Sequence, residues 1–168
     1  MKNQVQIDKI IKPFNKQITV PSDKSLSIRC ILFSSIALGK SKIFNLLQSE
    51  DVTNSIKAIK KIGVRCINKK NYLEIYGVGI NGFKIKNKTT INAGNSGTLA
   101  RCILGLLSSS KKKIKLIGDQ SLSKRDFTRV VKPLKKFGAK FITKSGKLPI
   151  TIIGTENPRP IKFVWCRY

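Results

Sequence analysis

The sequence contains no histidine, and its 34 lysines and arginines face only 8 aspartates and glutamates. The absence of histidine excludes a Ser-His-Asp triad and leaves any metal site without an imidazole ligand. The eight carboxylates show no paired spacing of the kind used in general acid–base catalysis. The chain is therefore poor in acid–base groups and rich in groups that bind anions.

The four cysteines show no C-x-x-C spacing, and no apolar run approaches the roughly 20 residues that a membrane-spanning helix needs. Cys30, Cys66 and Cys102 lie within apolar runs, which predicts buried thiols in a reducing compartment. The first 16 residues are polar and are broken by Pro13, so they do not resemble a secretory signal. We therefore expect a soluble cytoplasmic protein without a membrane partner.

The formal net charge of +26 suggests anionic partners, and a basic nucleic-acid-binding module is one hypothesis. Aromatic residues make up only 7% of the chain, and no basic stripe is interleaved with them, so base stacking is poorly supported. The lysines are spread over the whole chain, as is typical of proteins encoded by AT-rich DNA. We expect no specific nucleic-acid partner.

The most informative pattern is an internal duplication. The segment DVTNSIKAIKKIGVRCI starts at Asp51, and DFTRVVKPLKKFGAKFI starts 75 positions later at Asp126. Upstream, KSLSIRCIL from Lys24 is echoed by NSGTLARCIL from Asn95. Segments that recur in the same order indicate copies of one structural unit. We place the first unit at about residues 15–76 and the second at about residues 89–153, whereas 154–168 match neither.

Each copy is predicted to form strand, helix, strand, helix and two further strands, which is an α/β fold. The elements predicted in the first copy are Gln17–Val20, Lys24–Leu38, Ser41–Leu47, a helix from Ser49 to Gly63, Val64–Ile67 and Tyr72–Tyr76. Those predicted in the second are Thr89–Asn92, Thr98–Ser109, Lys113–Ile117, Asp126–Phe137, Lys140–Thr143 and Ile150–Ile153. Gly39 is expected just past the first helix, and Pro133 is expected to bend the last helix or delay its start.

Three polar loops lead from strand ends into helices and carry cations. In the first, Lys24 and Arg29 stand about one turn apart, where free backbone N–H groups and the helix dipole favour an anion. In the second, the glycine at position 97 lets the backbone approach a ligand closely. The third ends in Arg125. Because the units are equivalent, we expect these loops to meet at one face and bind a doubly anionic substrate.

Three motifs in this order resemble the enolpyruvyl-transferase family, most closely the branch that acts on shikimate 3-phosphate. They are PSDKSLSIR at 21–29, NAGNSGTLAR at 92–101 and GDQSLSKRDFTRVVKPLKKFGA at 118–139, within a resemblance over about residues 15–162. The family fold consists of two similar domains, each with three β-α-β-α-β-β units and its helices inside. The resemblance implies that this chain holds two of the three units of one domain.

The resemblance implies transfer of the enolpyruvyl group of phosphoenolpyruvate to the 5-hydroxyl of shikimate 3-phosphate, with release of phosphate and without a metal or organic cofactor. By motif match, the shikimate 3-phosphate site would comprise Lys24, Ser25 and Arg29, and the phosphoenolpyruvate site Lys24, Gly97 and Arg125. Asn95, Thr98 and Arg101 would support them. The full-length family member is expected to be a monomer.

Two features depart from the family pattern. Asp126 stands where proline usually follows the Lys-Arg pair, so its carboxylate is expected to compete with substrate for Arg125. The Ser-Ala-Gln or Ser-Ser-Gln motif expected soon after residues 158–162 is absent, and no catalytic acid or base of the family is carried over. We therefore expect a truncated or aberrant tail at 154–168 and a chain that is inactive alone.

A second branch of the family, the UDP-N-acetylglucosamine enolpyruvyl transferases, is the close alternative. That branch is expected to show a Lys-Asn pair in the first loop, whereas this chain has Lys24 followed by Ser25. The shikimate branch is therefore the preferred interpretation.

Overall fold

The structure is a computed structural model that describes Pro13, Asn15, Gln17, Ile18 and residues 20–162. The first unit contains α1 (Lys24–Ile36), β1 (Leu38–Phe44), α2 (Glu50–Lys61), β2 (Arg65–Asn68) and β3 (Tyr72–Val78). The second contains β4 (Thr89–Asn92), α3 (Gly97–Leu106), β5 (Lys113–Ile117), α4 (Gln120–Lys124), α5 (Thr128–Phe137), β6 (Lys140–Lys144) and β7 (Lys147–Ile153). The predicted α/β class is confirmed; the proposed boundaries of the two units stay a prediction.

Each unit builds its own sheet. In the first, the strand order is β1-β3-β2 and both pairings are antiparallel, with Leu38 opposite Val78. In the second, the order is β4-β5-β7-β6, and β4 runs parallel to β5 with Thr89 opposite Ile114. α3 connects the two parallel strands. A short polar loop leads from the end of β4 to the first residue of α3.

The helices of the two units pack against one another. α1 contacts α2 and α3, and α3 also contacts α5, so the core lies largely among helices and the inner faces of the sheets. Fully buried side chains of α1 and α3 include Ile28, Ile31, Leu99, Ile103 and Leu104. Each such side chain stabilises the fold by roughly 1.5–3 kcal/mol. No helix in the described part of the chain is long and apolar enough to cross a membrane.

Side-chain caps set where the helices begin. Asp23 accepts a hydrogen bond from the Leu26 amide at 2.6 Å, and Ser49 and Ser96 cap α2 and α3 in the same way. These short polar residues satisfy backbone N–H groups that lack an intrahelical partner. The first turns of α1 and α3 are thereby fixed next to each other, since Ser25 Oγ lies 3.5 Å from Thr98 Oγ1.

The strand predicted at Gln17–Val20 is wrong for the described residues. Gln17, Ile18 and Val20 lie outside any strand, and Thr19 falls outside the described residues. A β-rich run becomes a strand only when a neighbouring strand satisfies its backbone groups, and β1 pairs only with β3 among the described strands. The side chains of Ile18 and Val20 are accordingly exposed.

The first helix ends earlier than predicted. α1 stops at Ile36, and Gly39 lies within β1 with φ of +90°, rather than just past the helix. The cause is the pairing of β1 with β3, which begins at Leu38. Gly77 permits this arrangement, because a Cβ there would lie 2.1 Å from the carbonyl oxygen of Ala37. Pro133 lies within α5, whose start is at Thr128 rather than at Asp126.

The prediction that all three apolar-run cysteines are buried is wrong for Cys30, which is exposed, whereas Cys66 and Cys102 are half-buried. Apolar residues lie on more than one side of α1, and the face that carries Ile28, Ile31 and Leu32 packs into the core. Cys30 lies on the opposite face for that reason.

The second unit contains a short helix, α4, that the first unit lacks. Asn45–Ser49 connects β1 directly to α2, whereas the longer connection from β5 to α5 holds α4 with Leu122 and Phe127 fully buried. Phe127 corresponds to Val52 in the repeat, and its amide donates to the carbonyl of Gly146 at 2.9 Å. α4 therefore anchors the residue that follows it, Arg125, at the end of the sheet.

Candidate anion-binding site

A cavity of about 280 Å³ lies where the first turns of α1, α2 and α3 meet. Its lining residues are Lys24, Asp51, Asn95, Gly97, Thr98, Arg101 and Arg125. Three helix N-termini bring positive potential to this point. The three cation-bearing loops, which are far apart in sequence, are thus brought together as expected.

One side of the cavity is formed by the first unit. Lys24 is the first residue of α1, and its Nζ lies 3.0 Å from Oδ2 of Asp51 in the first turn of α2. Asp51 is the only carboxylate among the lining residues, and it was not predicted as a site residue. The sequence contains a signal for it, since an acid opens the repeated helix in both copies, but only the tertiary structure pairs it with Lys24.

The other side is formed by two guanidinium groups that converge above Gly97. A Cβ at Gly97 would lie 2.8 Å from Nη1 of Arg101 and 3.0 Å from Nη1 of Arg125. The two planar cations therefore reach the same patch of backbone because no side chain occupies it. Arg101 also lies over the ring of Phe127, with its guanidinium carbon 5.3 Å from the ring centroid.

Arg125 is held by a neutral partner. Its Nη2 donates to Oδ1 of Asn95 at 2.8 Å, and Nδ2 of Asn95 donates to Oδ2 of Asp119 at 2.8 Å. Ion pairs within the described residues involve Lys24, Lys40 and Lys111, so neither Arg101 nor Arg125 has a carboxylate partner there. The two arginines thus keep their charge available for an anion such as phosphate or carboxylate.

The remaining predicted residues lie beside the cavity. Ser25 reaches its rim through Thr98, whereas Arg29 is exposed on α1 and is not among the lining residues. Burial raises the pKa of the Cys102 thiol above its ordinary value, and the charges of Arg29 and Arg101 partly oppose this rise. Arg29 is on the same helix as Lys24, but it does not line the cavity.

The expected competition between Asp126 and substrate for Arg125 is not seen. The carboxylate of Asp126 turns toward α5, where it accepts hydrogen bonds from the Thr128 amide at 2.7 Å and from Thr128 Oγ1 at 2.6 Å. It serves as a cap for α5, whose formal N-cap, Phe127, has no capping side chain. The guanidinium of Arg125 bonds to Asn95 instead.

This cap makes stability depend on pH in the acid range. Hydrogen bonds from Thr128 lower the pKa of Asp126 below its ordinary value of 3.8. Its stabilising contribution is therefore complete above the unfolded-state pKa of about 3.9 and is lost as the pH falls through the lower folded-state pKa. We expect Asp126→Ala to destabilise the chain at pH 7, with a difference from wild type that shrinks below about pH 4.

Urea denaturation at a series of pH values between 7 and 2 measures this difference. Asp126→Asn is the control, because it keeps an acceptor for the Thr128 amide but cannot titrate. A wild-type advantage over Asp126→Ala that stayed constant, or grew, as the pH fell would contradict the assignment.

Comparison with known proteins identifies the family of this chain. Residues 9–165 match the family model described as EPSP synthase (3-phosphoshikimate 1-carboxyvinyltransferase). A 3-phosphoshikimate 1-carboxyvinyltransferase of Ruthia magnifica is 43% identical over 88% of this chain and 34% of its own length. One from Streptococcus pyogenes is 39% identical over 90% of this chain and 35% of its own length. These matches favour the shikimate branch over the UDP-N-acetylglucosamine branch.

A solved structure gives the same result for the fold. The EPSP synthase of Acinetobacter baumannii superimposes with a TM-score of 0.79 and 36% sequence identity, covering 87% of this chain and 33% of that one. The chain spans about a third of the length of the curated relatives it matches. Both the sequence motifs and the fold around the cavity therefore place this chain in the EPSP synthase (3-phosphoshikimate 1-carboxyvinyltransferase) family.

Proposed function

We propose that this chain supplies the anion-binding part of an enzyme that transfers the enolpyruvyl group of phosphoenolpyruvate to the 5-hydroxyl of shikimate 3-phosphate. The observation that carries the proposal is the convergence of Arg101 and Arg125 above Gly97, opposite Lys24. The two guanidinium groups can each donate two parallel hydrogen bonds, which suits the carboxylate and the phosphate of phosphoenolpyruvate. The ammonium group of Lys24, on its flexible stem, suits a position between two substrates.

In the proposed site, Gly97 and Arg125 bind phosphoenolpyruvate and Lys24 contacts both substrates. Ser25 and Arg29, which lie on α1 with Lys24, bind shikimate 3-phosphate, and the contact of Ser25 with Thr98 at the cavity supports the role of Ser25. The 5-hydroxyl oxygen adds to C2 of phosphoenolpyruvate and loses its proton to a base, while C3 gains a proton from an acid. Loss of a proton from C3 and of phosphate from C2 then regenerates the double bond. No metal or organic cofactor takes part in this scheme.

The proton transfers at C3 need acid–base groups that this cavity does not offer. Asp51 is its one carboxylate, and Lys24 already pairs with it. We therefore expect the chain alone to bind both substrates without measurable release of phosphate. A cytoplasmic location is part of the proposal, and the free thiols of Cys30, Cys66 and Cys102 suit a reducing compartment.

Isothermal titration calorimetry with each substrate tests the proposal. We expect saturable binding of phosphoenolpyruvate and of shikimate 3-phosphate, each tighter than binding of inorganic phosphate. Failure of the wild-type chain to bind either substrate would overturn the proposal. A nucleic-acid-binding module would instead bind DNA with an affinity that falls steeply with salt, at a slope of roughly −0.9 per phosphate neutralised.

Replacing Gly97 by alanine tests the geometry of the two arginines. The added methyl group would crowd both Nη1 atoms and push the guanidinium groups apart. The displaced guanidinium groups should weaken phosphoenolpyruvate binding by about tenfold, which corresponds to the loss of one hydrogen bond between charged groups at roughly 1.5 kcal/mol.

Gly105→Ala is the matched control for Gly97→Ala. Gly105 lies in the same helix, and a Cβ there would meet no atom within 4 Å. This variant should keep wild-type affinity while gaining roughly 0.5–1 kcal/mol of stability from its better helix propensity. Equal affinities of the two variants for phosphoenolpyruvate would contradict the role given to Gly97.

A further inference from the structure

Asp119 ties together two segments of the cavity wall. Its backbone amide donates to the carbonyl of Gly94 at 2.9 Å, and its Oδ1 accepts from the Leu122 amide at 2.7 Å as the N-cap of α4. Its second oxygen, Oδ2, accepts from Nδ2 of Asn95 at 2.8 Å. One residue thus connects the loop that precedes α3 with the short helix that precedes Arg125.

The carboxylate of Asp119 also determines which way the amide of Asn95 points. An ionised carboxylate only accepts hydrogen bonds, so Asn95 must present its Nδ2 donor to Asp119. Its Oδ1 acceptor is then left facing Arg125, whose guanidinium only donates. Arg125 therefore donates to Asn95, and Asn95 donates to Asp119. The reverse order is excluded, because an ionised carboxylate cannot donate and a guanidinium cannot accept.

The indirect contact leaves the charge of Arg125 available. A direct pair with Asp119 would fix the guanidinium, but the carboxylate would then compete with a bound anion for it, as Asp51 does at Lys24. Through Asn95, Arg125 receives a hydrogen bond of fixed geometry while the carboxylate remains one side chain away. A cation held in this way loses less conformational freedom when it binds an anion.

We propose that Asp119 is a positioning residue, which orients Arg125 toward the bound phosphoenolpyruvate by fixing the amide of Asn95. This inference rests on the proposed function and adds to it a residue that touches no substrate. It also explains why α4, a helix of only five residues, carries a capping carboxylate with two separate partners.

Asp119→Asn is the decisive variant, because asparagine caps helices about as well as aspartate. The side-chain oxygen of the new asparagine can still accept from the Leu122 amide, and its Nδ2 then donates to Asn95. The side-chain amide of Asn95 must rotate to accept this bond, so that it presents its own Nδ2 donor to the guanidinium of Arg125. We expect Arg125 to become disordered and phosphoenolpyruvate affinity to fall about three- to tenfold, the cost of fixing one long side chain on binding. The melting temperature should change little.

Two readouts separate positioning from folding. The Nε–H resonance of Arg125, one of only seven arginines, reports in the ligand-free chain whether its guanidinium is ordered. Calorimetry reports affinity for phosphoenolpyruvate. Asp23→Asn is the matched control, since Asp23 caps α1 without contacting Asn95 and its replacement should leave the Arg125 resonance unchanged. Asp119→Ser, which keeps a capping oxygen, replaces the first variant should that one fold poorly.

The exchanged pair Asp119→Asn with Asn95→Asp gives the sharpest outcome. The new amide at position 119 can donate to the new carboxylate at position 95, which can accept from Arg125, so the guanidinium should become ordered again. Affinity should stay low, because the carboxylate now neutralises Arg125 directly. Failure of the wild-type chain to bind phosphoenolpyruvate would contradict the proposed function but not the role of Asp119 in ordering Arg125. An Arg125 resonance that is unchanged in Asp119→Asn would overturn the role of Asp119.

Discussion

Replacing Arg125 by alanine is expected to weaken phosphoenolpyruvate binding by about ten- to a hundredfold. A hydrogen bond to a charged group contributes about 1.5–3 kcal/mol, and about 1.4 kcal/mol corresponds to a factor of ten in affinity. Arg125 has no carboxylate partner among the described residues, so little of its interaction with an anion is lost to competition. Isothermal titration calorimetry at constant ionic strength measures the change.

Arg129→Ala is the control for this variant. Arg129 is exposed on α5 four residues away and does not line the cavity, so its removal changes the net charge equally without touching the site. Arg125→Lys should fall between wild type and Arg125→Ala, since lysine keeps the charge but loses the fork. Equal losses in Arg125→Ala and Arg129→Ala would mean that net charge, rather than the cavity, binds the ligand.

Replacing Phe127 by alanine is expected to destabilise the chain by about 3–5 kcal/mol, the usual cost of emptying a buried phenylalanine site. Phe127 is fully buried and is the largest of the fully buried side chains. Domains of this size are stable by only about 5–15 kcal/mol, so the variant should unfold at a much lower urea concentration. Circular dichroism during urea denaturation measures the shift.

Phe33→Ala is the matched control, because Phe33 is 60% exposed and its loss should change stability by less than about 0.5 kcal/mol. Phe127→Leu should retain most of the stability, since leucine fills much of the volume. It should still weaken anion binding, because Arg101 loses the ring beneath its guanidinium. Similar urea midpoints for Phe127→Ala and Phe33→Ala would show that Phe127 is not part of the core.

The helices and most strands of this fold could be predicted from sequence because their signals are local. Ser49 and Gly63 flank α2 in the sequence, and the repeat transfers that assignment to α5. The errors occur where pairing decides the structure. β1 begins at Leu38 because Val78 lies opposite it, which no local pattern indicates. α4 is too short for apolar periodicity, and its only local signals are the cap at Asp119 and Leu122.

The site residues also differ in whether a local sequence pattern or only a long-range contact identifies them. Lys24, Gly97 and Arg125 were predicted as site residues from loops at helix starts, and the structure brings them to one cavity; their individual roles stay predictions. Asp51 and Asp119 were missed because each acts through a partner that is distant in sequence. Their carboxylates have ordinary local explanations as helix-start residues, which hide the second contact.

The presence of α4 in only one of the two repeats has a consequence for ligand orientation. Lys24 pairs with Asp51 on one flank, whereas α4 brings Arg125 to the other flank without a carboxylate partner among the described residues. The two ends of a guest molecule therefore meet unequal surroundings.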